Sequence, residues 1–284
     1  QLNRFLGRFG RVFGPDPATG VVSTMGSVIA VDGAGSRWLK YGSARGLVES
    51  MQVVLSDGTV MQAAVHPVPS ESELGQLEQD AESAGNSAHR QQALIHQLAG
   101  LIEREQTSID AYQPDSLVHR CGYQLQGILQ DGELDLAKLL VGSEGTMGLI
   151  TEVTLKTQLL PAHRGVILLF FDRLDHSIQA ALQANELDVT ACDLMDRRLL
   201  SIAREHSDQY ARLIPAEAEA MLLMEVEGEN IQEVHDRLDQ ITSRIQRKKK
   251  LAFTTRTATE PSEMKSFWNL SHSVIPTLYR LEGS

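Results

Sequence analysis

After Pro161 the sequence alternates short apolar runs with amphipathic stretches, and this alternation limits the fold more than any other feature. The run 166–171 contains only Val, Ile, Leu and Phe, and 231–245 carries apolar residues at the helical spacings of three and four. The order strand, helix, strand occurs twice, which predicts an α+β sandwich in which helices pack on one face of a sheet. The predicted strands are 165–172, 188–194, 220–227 and 251–256, and the predicted helices are 175–184, 196–205 and 230–247.

The part of the chain before residue 160 has a different character. Glycines, turn residues and short apolar runs crowd the segment 10–58, whereas regular strands and helices follow Pro161. This change predicts a domain boundary near residue 160, with one domain at 1–160 and a second at 161–284.

Local patterns in the first part predict a hairpin, a helix and a strand. The hairpin covers 53–61, because Asp57 and Gly58 supply the positive φ angles of a tight primed turn. The polar segment 67–85 predicts an exposed connector, and the helix after it has apolar residues at Leu94, Leu98, Leu101 and Ile102. Apolar and polar residues alternate over 149–155, which predicts a half-buried strand.

Charge and cysteine content exclude several classes of protein. The chain has 26 Lys and Arg against 37 Asp and Glu, a net charge of -11, so a phosphate backbone is not an expected partner. The basic run 247–250 closes a predicted helix, where cations complement the helix dipole. Two cysteines in no metal-ligand spacing exclude a disulfide scaffold and a zinc site, and they predict a reducing, cytoplasmic location. The run 166–171 is far shorter than the roughly 20 residues that cross a bilayer.

Two glycine-rich clusters are candidates for a ligand site. Neither is a GxGxxG or GxxxxGK[ST] fingerprint, so a Rossmann domain and a P-loop are not supported. The first cluster lies within 15–42 and the second is Gly-Ser-Glu-Gly-Thr-Met-Gly at 142–148. Glycines let a backbone approach a flat ring or a phosphate closely, but a bland turn explains either cluster alone equally well.

Taken together and in this order, the clusters resemble the FAD-linked oxidases of the vanillyl-alcohol oxidase type. The branch of that family that the pattern resembles contains D-lactate dehydrogenase, glycolate oxidase and D-2-hydroxyglutarate dehydrogenase. The segments that carry the resemblance are 15–17 (Pro-Asp-Pro), 24–27 (Thr-Met-Gly-Ser), 31–35 (Val-Asp-Gly-Ala-Gly), 41–42 (Tyr-Gly) and 142–151. Looser matches extend through 122–123, 191–196 and 267–268.

The resemblance implies an FAD cofactor and a two-part fold. An incomplete FAD-binding domain of this type would be followed by an α+β substrate, or cap, domain with repeated βαβ units. The flavin ring would lie near 24–35 and Gly42, and the adenosine end near 142–150. The cofactor-binding residues implied are Pro15, Asp16, Thr24, Gly26, Ser27, Asp32, Gly33, Gly35, Tyr41, Gly42, Gly142, Glu144, Gly145, Gly148 and Ile150.

The reaction implied is oxidation of a D-2-hydroxy acid by hydride transfer to flavin. Electrons would pass to an acceptor other than NAD, an iron–sulfur domain being one candidate. Two other interpretations stay open: a non-catalytic module with a decayed flavin site, and the same flavin fold used on an alcohol or an enolpyruvyl amino sugar.

The sequence departs from the family pattern at three positions. Ser27 replaces a glycine, and Asp32 replaces an asparagine, so its carboxylate accepts from the flavin N3–H but does not donate. Ser271 stands where family members carry an arginine that clamps the substrate carboxylate. Arg280 is a candidate substitute for that arginine, against the simpler interpretation of a surface arginine at a helix end.

No residue of the chain is predicted to be catalytic and no metal site is predicted. His119 and His272 are lone histidines, which are more often structural or exposed than catalytic. The resemblance places a pyrophosphate-binding glycine loop before Gln1 and an acidic, His-bearing segment with the general base or metal ligands after Ser284. We therefore expect an internal fragment that does not retain FAD alone.

Overall fold

A computed structural model describes residues 1–17, 19–20, 22–73, 87–114 and 121–278, except for the side chains of 87, 206 and 272–278. The chain divides into two compact units. Unit 1 comprises Gln1–Ala18, Gly35–Gly42 and Gln158–Ser284, and unit 2 comprises Thr19–Ala34 and Ser43–Thr157.

The described residues contain both helices and strands throughout. The strands are β1 Arg11–Val12, β2 Val48–Val54, β3 Val60–Ala63, β4 Val65–Pro67, β5 Leu129–Gln130, β6 Glu133–Asp135, β7 Leu149–Leu155, β8 Gln158–Leu159, β9 His163–Phe171, β10 Ala191–Asp196, β11 Ala220–Gly228 and β12 Thr254–Ala258. The helices are α1 Leu2–Leu6, α2 Met25–Ala30, α3 Trp38–Tyr41, α4 Ser87–Tyr112, α5 Leu136–Leu140, α6 Leu174–Ala181, α7 Arg197–His206, α8 Asp208–Leu213, α9 Ile231–Thr242 and α10 Pro261–Leu278.

Unit 1 is built on a four-stranded antiparallel sheet in the order β10-β11-β9-β12. The two central strands pair along their whole length, from Ala220 opposite Phe171 to Gly228 opposite His163. β9 and β10 run parallel with β11 between them, and β11 and β12 run parallel with β9 between them. Helices α6 and α9 make these two crossovers, so the topology is the split βαβ arrangement of ferredoxin-like folds. The predicted α+β fold with two βαβ units is confirmed.

Helices cover both faces of this sheet, so the expectation of helices on one face is wrong. Side chains of β9 alternate between two cores, with Leu169 against α6 and α9 and Leu168 against α7, α8 and α10. The physical reason is the uninterrupted apolar character of the two central strands, because a strand that is apolar on both faces must be covered on both.

Helix α9 shows how the sequence pattern produces an element of this core. Asn230 precedes the helix and its side chain accepts a hydrogen bond from the amide of Glu233 (2.9 Å), which caps the first turn. Val234, Leu238 and Ile241 are buried on one face. The helix ends earlier than predicted, and 243–248 continues as a π-helical turn that contains part of the basic run.

Unit 2 contains two small antiparallel sheets, β3-β2-β7 and β4-β6-β5. The predicted hairpin is present between β2 and β3, but its turn type is different. Only Gly58 has a positive φ (83°) and the Gly58 amide donates to Leu55 O (3.0 Å), so a type I turn with a following left-handed glycine replaces the primed turn. Asp57 instead accepts from the Thr59 amide (3.0 Å), which fixes the turn from its side chain.

The predicted helix is α4 and the predicted strand 149–155 is β7, so both elements are confirmed. The buried face of α4 differs from the predicted one, because Ile95, Ala99 and Ile102 are buried whereas Leu101 is 43% exposed. Most of the predicted connector lies outside the described residues. No helix within the described ranges is both long enough and apolar enough to cross a bilayer.

Candidate functional site

Hydrogen bonds join the two glycine clusters within unit 2. The Gly142 amide donates to Ile29 O (3.0 Å), and the Glu144 amide donates to Ala30 O (2.8 Å). The carbonyl oxygens of the α2 end therefore receive their donors from a loop more than a hundred residues away in the sequence. The structure thus brings the predicted residues of 24–33 next to those of 142–150.

A capping box starts α2 at the predicted cofactor residues Thr24 and Ser27. The Ser27 amide donates to Thr24 Oγ1 and the Thr24 amide donates to Ser27 Oγ, both at 3.1 Å. Ser27, which stands where the family has a glycine, therefore caps the N-terminus of α2. Gly26 lies between them and is exposed, and a Cβ there would lie 3.9 Å from Thr24 Oγ1, an ordinary contact distance.

Asp32 is buried beside Arg45. The Arg45 amide donates to Asp32 Oδ1 (2.9 Å), and the Arg45 Nε lies 3.3 Å from Asp32 Oδ2. Asp32 is only 3% exposed and has a left-handed φ of 51°. Both carboxylate oxygens therefore face protein donors, and the predicted bond to flavin N3–H stays a prediction.

Glycine is favoured at both ends of the 142–148 loop, for different reasons. Gly142 has a φ of 82°, which other residues rarely adopt, whereas a Cβ on Gly148 would lie 2.6 Å from Val53 Cγ1 and 3.0 Å from Val54 O. Gly145, in the middle, has a φ of 77° and open space around it, and Glu144 beside it is exposed. The tip of the loop is therefore the part that is free to meet a ligand.

The remaining predicted residues of unit 2 are mainly structural in this geometry. The Gly33 amide donates to Val28 O (2.7 Å), and a Cβ there would lie 3.1 Å from Val28 Cγ1. Ile150 is half-buried in β7 opposite Val53. Next to the loop tip, Tyr123 Oη and Thr146 Oγ1 share a hydrogen bond (2.8 Å), a pair that the sequence analysis did not select.

In unit 1, Asp16 and Gly35 form an isolated parallel bridge. Gly35 has a φ of 96°, and a Cβ there would lie 1.9 Å from Asp16 O, so no other residue fits. The Asp16 carboxylate pairs with Arg37, and Pro15 is buried. The glycine at position 35 is thus required by the close approach of two backbone segments.

Tyr41 is buried with its hydroxyl 2.8 Å from both carboxylate oxygens of Glu227. Burial and the charge-assisted bond to Glu227 raise the pKa of the Tyr41 phenol well above its usual value. Gly42, which follows, has a φ of 68° and open space around it. Gly14 was not predicted as a site residue, although a Cβ there would lie 2.4 Å from the Tyr41 ring.

Two buried carboxylates of β11 also escaped the sequence analysis. Glu225 is 1% and Glu227 is 4% exposed, although they stand near the end of an apolar strand where a charged residue suggests solvent. Glu227 is surrounded by donors, with Lys40 Nζ at 2.8 Å and Arg164 Nε at 3.2 Å in addition to Tyr41. The signal in the sequence was the position of two carboxylates in a strand that is otherwise wholly apolar.

The structure supplies no catalytic assignment for the remaining candidates. Ser271 is half-buried in α10, whereas His119, Arg280 and the side chain of His272 lie outside the described residues. Burial raises the pKa of the Cys192 thiol to about 12, so this thiol is neutral and not a nucleophile. Within the described part of the chain, no three His, Cys, Asp or Glu side chains form a group that could hold a metal ion.

The chemistry of unit 2 around the loop tip fits a dinucleotide cofactor. Open space at Gly145 allows a ligand to approach the backbone, and the exposed residues Thr24 and Gly26 lie on the first glycine cluster. The Thr24 hydroxyl and backbone amides can donate to phosphate, and the Glu144 carboxylate accepts from ribose hydroxyls. The residues present therefore fit FAD.

Two family comparisons match this chain. The family "FAD linked oxidases, C-terminal domain" matches residues 160–283, and the family "FAD binding domain" matches residues 1–64. These matches support FAD as the cofactor, and the second one covers only part of the chain before residue 160.

Curated relatives are similar over most of this chain. D-2-hydroxyglutarate dehydrogenase of Escherichia coli is 28% identical over 207 residues, which is 72% of this chain and 19% of that protein. Glycolate oxidase subunit GlcD of Bacillus subtilis is 24% identical over 284 residues, 96% of this chain and 44% of that protein. D-lactate dehydrogenase of Archaeoglobus fulgidus is 25% identical over 231 residues, 80% of this chain and 38% of that protein. The chain spans about a fifth to a quarter of the length of the D-2-hydroxyglutarate dehydrogenases that it matches.

Solved structures agree on the fold. Two structures of alkyldihydroxyacetonephosphate synthase align over 98% of this chain with TM-scores of 0.58 and 0.54, at 18% and 16% identity. The two alignments cover 43% and 40% of the synthase chains. With matched family domains at both ends and hydroxy-acid dehydrogenases among its relatives, this chain is similar to the FAD-linked oxidases.

Proposed function

We propose that the protein containing this chain oxidises a D-2-hydroxy acid of the lactate, glycolate or 2-hydroxyglutarate class, with bound FAD supplying the acceptor for the hydride. The observation that carries the proposal is the pair of hydrogen bonds that joins 24–33 to 142–150 in unit 2. The names of the relatives support the class of substrate.

The proposed domains are an FAD-binding domain at 1–160 and a substrate domain at 161–284. Residues with open or exposed positions are proposed to contact FAD directly: Thr24, Gly26, Gly42, Glu144 and Gly145. The other proposed cofactor residues act by shaping the backbone around these contacts, as Gly35 and Gly142 do.

Three parts of the proposal concern groups that the described residues do not supply. Arg280 is proposed to bind the substrate carboxylate in place of the family arginine at position 271. A general base and any metal ligands are proposed to come from other parts of the protein, as is the contact with the electron acceptor. A cytoplasmic location is proposed from the two unpaired cysteines.

The test is a visible absorption spectrum of the full-length protein after incubation with FAD and desalting. Dye reduction is then assayed with D-lactate, glycolate and D-2-hydroxyglutarate. We expect retained flavin and reduction with at least one of the three acids. A protein that retains no flavin and reduces no dye would contradict the proposal.

A pair of matched glycine variants tests the loop tip. Gly145 and Gly132 are both in unit 2, both have a φ of 77° and both have open space where a side chain would stand. Gly145→Val is expected to abolish flavin retention, because a branched side chain then fills the approach to the backbone. Gly132→Val, in the β5–β6 hairpin, is expected to retain flavin at a similar cost in stability.

A non-catalytic module is the second candidate, because the Asp32 carboxylate already accepts the Arg45 amide at Oδ1 and pairs with the Arg45 guanidinium at Oδ2. Ser27 likewise uses its hydroxyl in the capping box. A full-length protein that folds cooperatively yet takes up no FAD at any concentration would favour this candidate.

A further inference from the structure

Glu225 is a buried carboxylate with three directed hydrogen bonds, all within unit 1. Arg37 binds it with both arms of the guanidinium, Nε to Oε1 at 2.7 Å and Nη2 to Oε2 at 2.9 Å. The indole N–H of Trp268 donates to Oε2 at 2.8 Å. A carboxylate that is 1% exposed needs such partners, because an unpaired buried charge is strongly destabilising.

Arg37 is fixed from several sides. Its guanidinium lies 4.7 Å from the centre of the Trp268 ring, in cation–π geometry, and it also pairs with Asp16. Burial alone would lower the pKa of Arg37, but the bonds to Glu225 and Asp16 raise it above its usual value. Arg37 therefore stays charged, and its planar fork has one orientation.

The two partners of Glu225 belong to different functional segments. Arg37 lies in Gly35–Gly42, the segment that carries Gly35, Tyr41 and Gly42, and α10 carries Trp268 three residues before Ser271. Both carboxylate oxygens of Glu225 accept hydrogen bonds from Arg37, in the segment with the predicted cofactor residues. Oε2 also accepts one from Trp268, on the helix that carries Ser271, where family members have the substrate-binding arginine. Glu227, two residues along β11, holds the same segment through Lys40 and Tyr41.

We propose that Glu225 is a positioning residue for the flavin reaction, holding the cofactor segment Gly35–Gly42 through Arg37 and the substrate-side helix α10 through Trp268. This inference rests on the proposed function. Glu225 touches neither FAD nor substrate in it and acts only through these two side chains. Weakening the bond to Arg37 should therefore affect FAD binding more than substrate binding, and removing the bond to Trp268 should have the opposite effect.

Two conservative variants of the full-length protein separate the arms. Arg37→Lys keeps the positive charge and loses the fork, and we expect FAD to bind about tenfold more weakly, since a buried bidentate pair is lost. Trp268→Phe keeps an aromatic ring beside Arg37 but loses the indole N–H donor. We expect this variant to raise the KM for the hydroxy acid about fivefold and to change the Kd for FAD by less than about twofold. Arg173→Lys, in an exposed pair with Asp175, is the control and should change neither.

Hydrogen exchange of the segment Gly35–Gly42 gives a readout that needs no substrate. Arg37→Lys should speed exchange there at temperatures far below unfolding, with and without FAD, and Arg173→Lys should not. If Arg37→Lys and Trp268→Phe lower the melting temperature but leave the FAD Kd, KM and this exchange unchanged, the network is only structural and the proposal is wrong. A wild-type protein that binds FAD but oxidises no 2-hydroxy acid overturns the proposed function instead, and the FAD and exchange measurements still decide the positioning role.

Discussion

Gly35 is a single position where the close approach of two chain segments decides the residue. A Cβ at this position would lie 1.9 Å from Asp16 O, and the φ of 96° is already unfavourable for other residues. We expect Gly35→Ala to destabilise the protein by about 3 kcal/mol or more, from strain together with the clash. Gly10→Ala is the control, since Gly10 also has a positive φ (63°) but open space, and we expect about 1 kcal/mol. Equal losses in urea unfolding of the two variants would show that φ alone decides both positions.

Tyr41 makes stability depend on pH in the alkaline range. Its folded pKa is raised, first by burial and then by Glu227, so its contribution is fully present below the unfolded value of about 10 and is lost as pH rises from there towards the folded pKa. Tyr41→Phe should cost about 1–2 kcal/mol at neutral pH, because it removes a hydrogen bond to a charged group. The difference in free energy of unfolding between wild type and Tyr41→Phe should then become smaller above about pH 10.

Urea unfolding at a series of pH values measures this gap. Tyr112→Phe is the matched control because Tyr112 is 86% exposed, and its stability curve should follow that of wild type. A gap that stays constant through alkaline pH would mean that the Tyr41 phenol is not held protonated in the folded state.

At the scale of the element, the central strand β9 tests whether both faces of the sheet are covered. Leu168 and Leu169 are adjacent, both 0% exposed, and belong to the two opposite cores. We expect Leu168→Ala and Leu169→Ala each to cost about 2–5 kcal/mol, because each deletes buried methyl groups and leaves a cavity. If chemical denaturation finds one of the two losses below about 1 kcal/mol, the face of that residue is not packed.

Local periodicity was sufficient to predict most elements, because each depends on residues close in sequence. The helix α9 and the strand β9 follow from apolar spacing and from an apolar run. The second helical layer was missed although the run 166–171 already requires cover on both faces. The turn at Gly58 was assigned the wrong type because Asp-Gly fits both a primed turn and a type I turn with a left-handed glycine.

Over the whole molecule, the candidate site could be predicted only as a set of separate segments. The glycine clusters were recognisable by composition, but the hydrogen bonds that join Gly142 to Ile29 and Glu144 to Ala30 depend on the fold. The same holds for Arg37 and Glu225, which are 188 residues apart in sequence. Neither charge pattern nor periodicity links such distant residues, so the buried carboxylates of β11 could not be assigned partners.

The arrangement of unit 1 predicts how a shortened chain behaves. The fragment Gln158–Ser284 keeps β11 but lacks Arg37, Lys40 and Tyr41, so Glu225 and Glu227 lose donors while they stay within the sheet. The cost of breaking such a buried pair is about 3–5 kcal/mol, because it leaves an uncompensated buried charge.

The Glu225→Gln variant tests this in both chains by urea unfolding. In Gln158–Ser284 we expect Glu225→Gln to raise the free energy of unfolding, because a buried amide needs no charge partner. In Gln1–Ser284, which retains Arg37, the same variant should lower the free energy of unfolding by about 3–5 kcal/mol, because it breaks the buried pair. A fragment that Glu225→Gln does not stabilise would mean that Glu225 reaches solvent once the segment Gly35–Gly42 is removed, and that the segment covers this carboxylate rather than pairing with it.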